Sequence, residues 1–312
     1  MSSHKYFDRI CAVIILIALV ITVLFMNGEA LGIQKIVDAD AERNSDSGYF
    51  TDNDLNGDWT GYQVRTITLN GDSAKISGTG AYEEYGDIYI TQSGYYEISG
   101  ELSDGSIIVD AKNYSKVWIR LDGVTVNSGD NACLIVENAD KVFLTLADAS
   151  ENIFTSGNQY SAEAVENGIN AVIYAKDDLT VNGSGSLTVS GGWKHGIKAN
   201  DDLVITGGVI RVTADGDAIH VNDSFRITGA ALDLTAGDEG IDVDGDEEET
   251  AGSESGYLYI ESGTISIDAQ GDGIHAAGDI TIDGGEITLH TGKDEIQSDT
   301  LYVNHNGNII IR

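Results

Sequence analysis

Four segments centred on isoleucine, His195-Gly196-Ile197-Lys198, Asp217-Ala218-Ile219-His220, Glu239-Gly240-Ile241-Asp242 and Asp272-Gly273-Ile274-His275, are copies of one unit. Gly196, Ala218 and Gly240 are spaced 22 residues apart, Gly240 and Gly273 are 33 apart, and Gly273 and Glu295 are again 22 apart. A unit this short buries no core alone, so the copies must stack on one another as a repeat protein. An acid precedes each isoleucine from the second copy onward, as Asp217, Glu239, Asp272 and Asp294.

One unit reads as three short strands and three turns. Ile197-Lys198-Ala199 alternates and Asn200-Asp201-Asp202 turns. Leu203-Val204-Ile205 follows, Gly207-Gly208 turns, Ile210-Arg211-Val212-Thr213 follows, and Asp215-Gly216-Asp217 closes the coil. Every second side chain in these strands is apolar, the pattern of a half-buried strand. Hairpins across such turns would not preserve a strict repeat, whereas equivalent strands stacked about 4.8 Å apart form parallel sheets. The chain is therefore expected to be all-β, a single-stranded, three-sided parallel β-helix of about 22 residues per coil and about eight coils. Two columns should fill its interior: Ile173/Ile197/Ile219/Ile241/Ile274/Ile296 and Leu187/Ile210/Leu232/Ile265/Ile287/Ile309.

Around the solenoid, residues 1–30 read as a signal peptide or an N-terminal membrane anchor. Lys5 and Arg9 precede an apolar run from Ile10 to Met26, and Gly28-Glu29-Ala30 offers a small-x-small cleavage site. Either reading places the remainder outside the cell or on its surface, with the membrane touched only through this segment. Residues 31–54 read as a polar tether, 55–105 as a β-rich N-terminal cap with the first coil, and 106–312 as the β-helix. Residues 155–170 and the acidic stretch between Gly245 and Ser255 are insertions. Cys11 and Cys133 suggest no disulfide framework. With Lys+Arg 17 against Asp+Glu 51, the formal charge of −34 argues against nucleic acid as a partner. The same charge suits multivalent cations.

Several stretches carry a resemblance beyond the repeat. Phe50-Thr51-Asp52-Asn53-Asp54-Leu55, Thr66-Ile67-Thr68-Leu69, the run from Ser93 to Gly105 and Ala139-Asp140-Lys141-Val142 stand ahead of the Gly-Asp-Gly-Ile-His and Asp-Gly-Gly-x-Ile coils. Together they resemble a family of exported bacterial carbohydrate-binding β-helix proteins, best known from clostridia that degrade plant cell walls. The resemblance implies a right-handed, calcium-containing β-helix similar in fold to pectate lyases. It also implies binding, without cleavage, of cellulose and of acidic polysaccharide such as polygalacturonate. Lys194-His195 and Glu295 depart from the regular repeat.

The acids supply the candidate metal ligands. Carboxylates on turns roughly 5 Å apart repel by about 3 kcal/mol at an effective dielectric of 20, and by less than about 1 kcal/mol in water. Sheltered, they must take up protons or share a cation; fully solvated, they need neither. The candidates are Asp215, Asp217, Asp238, Glu239, Asp242, Asp244, Asp272 and Asp294. Oxygen donors in such numbers suit calcium, whereas zinc favours His and Cys.

Two outward-facing columns complete the reading. The first runs Ile108, Ile135, Tyr174, Lys198, His220, Asp242, His275, Gln297: apolar upstream, polar downstream. Lys198, His220, His275 and Gln297 are candidate ligands for sugar hydroxyls or a uronate carboxylate, and an ordinary wet sheet face is the plain alternative. The second runs Trp118, Phe143, Thr180, Val204, Arg226, Tyr259, Thr281, Tyr302. Trp118 and Phe143 form either a sugar-stacking platform or an apolar patch beneath a loop; Trp193, at a turn, is the better exposed candidate. The expected function is non-catalytic carbohydrate binding with calcium. The alternatives are a lyase with Lys198 as base, or a structural or adhesive protein that calcium only stabilises.

Overall fold

The computed structural model describes residues 48–191, 193–245 and 255–312. Residues 48–58 and 64–312 among these form one compact unit. Residues 59–63 belong to a second unit whose other residues, 1–41, lie outside the described set. The leader at 1–30 and most of the 31–54 segment fall outside it too, as does the acidic run 246–249. No helix among the described residues is long and apolar enough to cross a membrane.

The repeats stack as a parallel β-helix. On the first face, Asp87–Ile90, Ile107–Asp110, Leu134–Asn138, Ala171–Ala175, His195–Ala199, Ile219–Val221, Ile241–Val243, Ile274–Ala276 and Ile296–Ser298 pair in parallel, each with the next. The second face continues from Lys116–Ser128 through Lys141–Leu146, Asp178–Gly183, Leu203–Ile205, Ser224–Ile227, Tyr257–Ile260 and Ile280–Ile282 to Tyr302–Asn304. The third runs from Glu151–Ser156 through Ser186–Gly191, Val209–Ala214, Ala231–Ala236, Thr264–Ala269 and Glu286–Thr291 to Asn308–Ile311. Two antiparallel strand pairs, Val64–Gly71 with Ala74–Ser77 and Ala81–Glu84 with Asp87–Ile90, stand at the N-terminal end. The antiparallel partners there, Ala74–Ser77 and Ala81–Glu84, are only four residues long, and short edge strands discourage pairing with another chain.

Both interior columns are in the expected register, with Ile197, Ile219, Ile241 and Ile274 on one face and Ile210, Ile265 and Ile287 on another fully buried. Each such side chain contributes about 1.5–3 kcal/mol through burial. The second outward column corrects at its end. Thr281 pairs with Val303, and Tyr302 sits one place earlier beside Ile280.

Two coverings decide which outward faces are free. The insertion after Ser156 carries a short helix, Ala162–Glu166, whose N-terminus is capped by the Ser161 hydroxyl accepting the Ala164 N–H. Tyr160, Ala164 and Ile169 from this insertion bury Ile135 and Tyr174. The apolar upstream half of the first outward column is thus covered by the insertion. Over the second face lies the segment around helix Asp52–Leu55. Its Asp54 is buried, pairs with Lys141 Nζ at 3.0 Å and accepts the Thr180 hydroxyl at 2.6 Å. Phe50 packs on Val204 and Tyr259, and Tyr49 stacks on Tyr259 with ring centres 3.8 Å apart.

The glycine of the repeat has a steric cause. A Cβ on Gly240 would stand 2.3 Å from Ile267 Cγ2 and 2.5 Å from the Gly273 carbonyl oxygen of the next coil. Gly240→Val should therefore destabilise the protein by at least about 1–3 kcal/mol, the usual cost of overpacking, read as a lower urea midpoint. An unchanged midpoint would refute this account of the corner.

Candidate functional site

Between the third and first faces the chain turns through the acids of the repeat, and there stacking brings side chains from successive coils together. The polar part of the first outward column is in the expected register: Lys198 beside His220, His220 beside Asp242, Asp242 beside His275, His275 beside Gln297. Asp217, on the turn before His220, is almost wholly buried.

An alternating series of imidazoles and carboxylates results. His195 Nδ1 and His220 Nδ1 each lie 3.0 Å from Asp217 Oδ2. His220 Nδ1 is also 3.2 Å from Asp242 Oδ2, and its Nε2 is 3.4 Å from Asp244 Oδ2. His275 Nδ1 lies 2.7 Å from Asp242 Oδ1. The His195 and His220 rings stack with centres 4.5 Å apart. Three sets of side chains offer converging metal ligands: His195/Asp217/His220, His220/Asp242/Asp244 and Asp217/Asp238/Glu239.

The acids of the turns resolve their mutual repulsion in different ways. Asp217 Oδ1 accepts the Glu239 backbone N–H at 3.1 Å, and Asp272 Oδ1 accepts the Asp294 backbone N–H at 2.8 Å. These carboxylates thereby staple one coil to the next. Glu239 is met by Lys293 Nζ at 3.2 Å, with Asp238 at 3.7 Å from the same ammonium. Asp215, Asp238, Asp244 and Asp294 are exposed. Gln297, partly buried, donates to Asp299 at 3.4 Å. Trp193 is 37% exposed at the bend before His195, whereas Trp118 and Phe143 are buried in a stack with Tyr95. Of the two readings of that pair, the covered apolar patch holds.

Burial and charge set the protonation states. Burial lowers His195, against the pull of Asp217. It would lower His220 as well, but hydrogen bonds to Asp217 and Asp242 outweigh it and push His220 up to about 9. Burial would raise Asp217, yet His195, His220 and the Glu239 N–H hold it well below the carboxylate range. Burial pushes Glu239 up to about 7, with Lys293 opposing and Asp217 assisting. It also holds Lys198 below the usual lysine range, with Asp244, Asp217 and Asp242 opposing.

The sequence marks Asp217 and Asp242 as candidate metal ligands and His220 and His275 as candidate sugar ligands; the structure brings the four into one hydrogen-bonded series. Sequence reasoning passed over His195 and Lys293, because their positions depart from the repeat consensus. It also passed over a cleft of about 370 Å³ on the second face, lined by Tyr49, Tyr257, Tyr259, Asp279, Thr281 and Thr300. Tyr49 reaches it from outside the repeats, so no periodicity marks it.

His220, with a folded-state value of about 9 above its ordinary 6.5, adds stability that is complete below pH 6.5 and lost as pH rises through 9. Asp217, depressed, adds stability that is lost only as pH falls below the ordinary carboxylate range. In chelator, the urea midpoint should fall between pH 6.5 and 9, and His220→Gln should flatten that fall. A slope unaltered by the substitution would show that His220 is not its source.

Comparison with known proteins agrees with the fold. The family model described as carbohydrate-binding domain-containing protein matches residues 84–308. A carbohydrate-binding domain-containing protein of Acetivibrio thermocellus is 39% identical over 129 residues, which are 41% of this chain and 45% of the relative. The match thus spans less than half of that relative's length. The solved structure of a polysaccharide lyase-like protein from C. thermocellum, a gadolinium derivative, superposes with a TM-score of 0.74 at 30% identity. It covers 79% of this chain and 100% of its own. With most of its length matched by the family, this chain belongs to the carbohydrate-binding domain-containing proteins.

Proposed function

We propose that the chain is a non-catalytic, calcium-assisted polysaccharide-binding β-helix acting outside the cell or on its surface, on polygalacturonate-type acidic polysaccharide, cellulose or both. The observation that carries this reading is the polar column Lys198–His220–Asp242–His275–Gln297, partly accessible at every position but the buried His220. It presents donors and acceptors at one coil spacing along a flat parallel face. The insertion covers the apolar stretch before it, at Ile135 and Tyr174. Trp193, at the edge, offers an apolar ring face against which a sugar can stack.

Charge argues for a cation. A protein of formal charge −34 and a polyuronate repel each other, so their association requires positive charge between them. Asp217, Asp238 and Glu239, whose donor atoms lie within 4.8 Å of one another, are hard oxygen ligands of the type calcium takes. Calcium there would neutralise the acidic turn and bridge to a uronate carboxylate. The related protein of C. thermocellum was solved as a gadolinium derivative, and lanthanides favour similarly hard oxygen donors. Lys293 Nζ competes for the same oxygens.

One observation favours a second reading, a lyase. Lys198 is partly buried on the same column, and burial favours the neutral amine that could remove a proton beside a uronate carboxylate. Incubation with polygalacturonate should produce no absorbance of unsaturated uronate. A rise that Lys198→Ala abolishes would establish the lyase and overturn the non-catalytic reading.

Pull-down on polygalacturonate should retain the protein in calcium and release it in EDTA, while retention on cellulose should survive EDTA. Absence of retention on both polysaccharides would sink the proposal. Lys293→Ala should raise calcium affinity in calorimetry by freeing Glu239, and a decrease would remove the Asp217/Asp238/Glu239 turn from consideration.

A further inference from the structure

We infer that the corner formed by His195, Asp217 and His220 is a binding site for a borderline divalent cation of the zinc class, separate in chemistry from the calcium turn. The donors themselves point there. Calcium and magnesium take oxygen, whereas two imidazoles with a carboxylate are a zinc, cobalt or nickel set. The ligand atoms of the three side chains lie within 4.8 Å of one another, and both ring nitrogens are 3.0 Å from Asp217 Oδ2. Around zinc with bonds of about 2.0–2.1 Å, tetrahedral donors stand about 3.3 Å apart, so little movement separates these side chains from coordination. Asp242 Oδ2, 3.2 Å from the same His220 nitrogen, stands on the next coil as a candidate fourth donor.

Hydrogen bonding within the corner leaves one group over. His195 Nδ1 is buried and, although close to Asp217 Oδ2, makes no hydrogen bond there. An orphaned buried nitrogen is costly. The stacked rings, 4.5 Å apart, would repel if both were protonated. As neutral imidazoles with lone pairs directed at a shared cation, both nitrogens and the carboxylate are satisfied together.

The surroundings complete the arrangement. Asp217 Oδ1 is fixed by the Glu239 N–H at 3.1 Å, which leaves Oδ2 for the cation. His220 Nε2 faces Asp244 Oδ2 at 3.4 Å, the carboxylate–histidine relation that orients metal-binding imidazoles. This corner shares only Asp217 with the calcium set, and the inference does not rest on any affinity for polysaccharide.

The test uses the full chain, stripped with chelator and returned to excess calcium, then titrated with Co²⁺ and with Zn²⁺. One equivalent should bind by calorimetry, and Co²⁺ should give the visible ligand-field bands of a low-coordinate site, lost when Zn²⁺ is added. His195→Ala and His220→Ala should each weaken binding at least about tenfold, as loss of a metal-site residue does. His195→Gln, nearly the same size, should also weaken it and guards against a folding defect, which circular dichroism would reveal. His290→Ala, at an exposed histidine paired with Asp268, should leave binding unchanged. Absence of stoichiometric uptake in excess calcium, or uptake that survives both His195 and His220 substitutions, overturns the inference.

Discussion

Everything in this molecule depends on the backbone hydrogen bonds that run from each coil to the next. A strand of three residues such as Ile219–Val221 has no partner within its own coil, and its N–H and C=O groups find partners only on the coils before and after. That obligation fixes the parallel register. The register in turn places isoleucine over isoleucine inside and polar residue beside polar residue outside. The inward side chains then supply the burial that no single unit could supply. Core and candidate site are therefore the two sides of one set of short strands.

The fold was legible because its signal is redundant. Isoleucine recurs at Ile197, Ile219, Ile241, Ile274 and Ile296, and the three-strand division of one coil transfers to the others. The register error at Tyr302 came from reading its aromatic ring as outward-facing; the 22-residue step from Thr281 leads to Val303, and the pairing follows it. The coverings were less legible. Neither the helix at Ala162–Glu166 nor the Asp52–Leu55 segment is repeated, and each finds its place through particular contacts, such as Tyr160 on Ala171 and Asp54 on Lys141.

The site was half legible. Periodicity aligned His220, Asp242 and His275, but it could not say how the carboxylates tolerate one another. Three answers occur within a few ångströms: a neighbouring coil's N–H for Asp217 and Asp272, an ammonium for Glu239, and imidazoles for Asp217 and Asp242. His195 and Lys293 belong to that balance because they break the pattern. In a repeat protein the consensus builds the frame, and departures from it are where chemistry can differ from coil to coil.

The longer spacing before Asp272 has a consequence of its own. Gly245 and Gly256, eleven positions apart in sequence, meet in space: the Gly256 Cα lies only 3.2 Å from where a Cβ on Gly245 would stand. Across this longer spacing Asp242 still pairs with His275, as it would had the coil been of ordinary length. Distance along the chain and distance in space are thus uncoupled at this corner. A lineage could lengthen, shorten or recharge the sequence between these two glycines. The donor spacings, set by the rungs beneath, would stay where they are, leaving segment length and donor geometry free to evolve as independent variables.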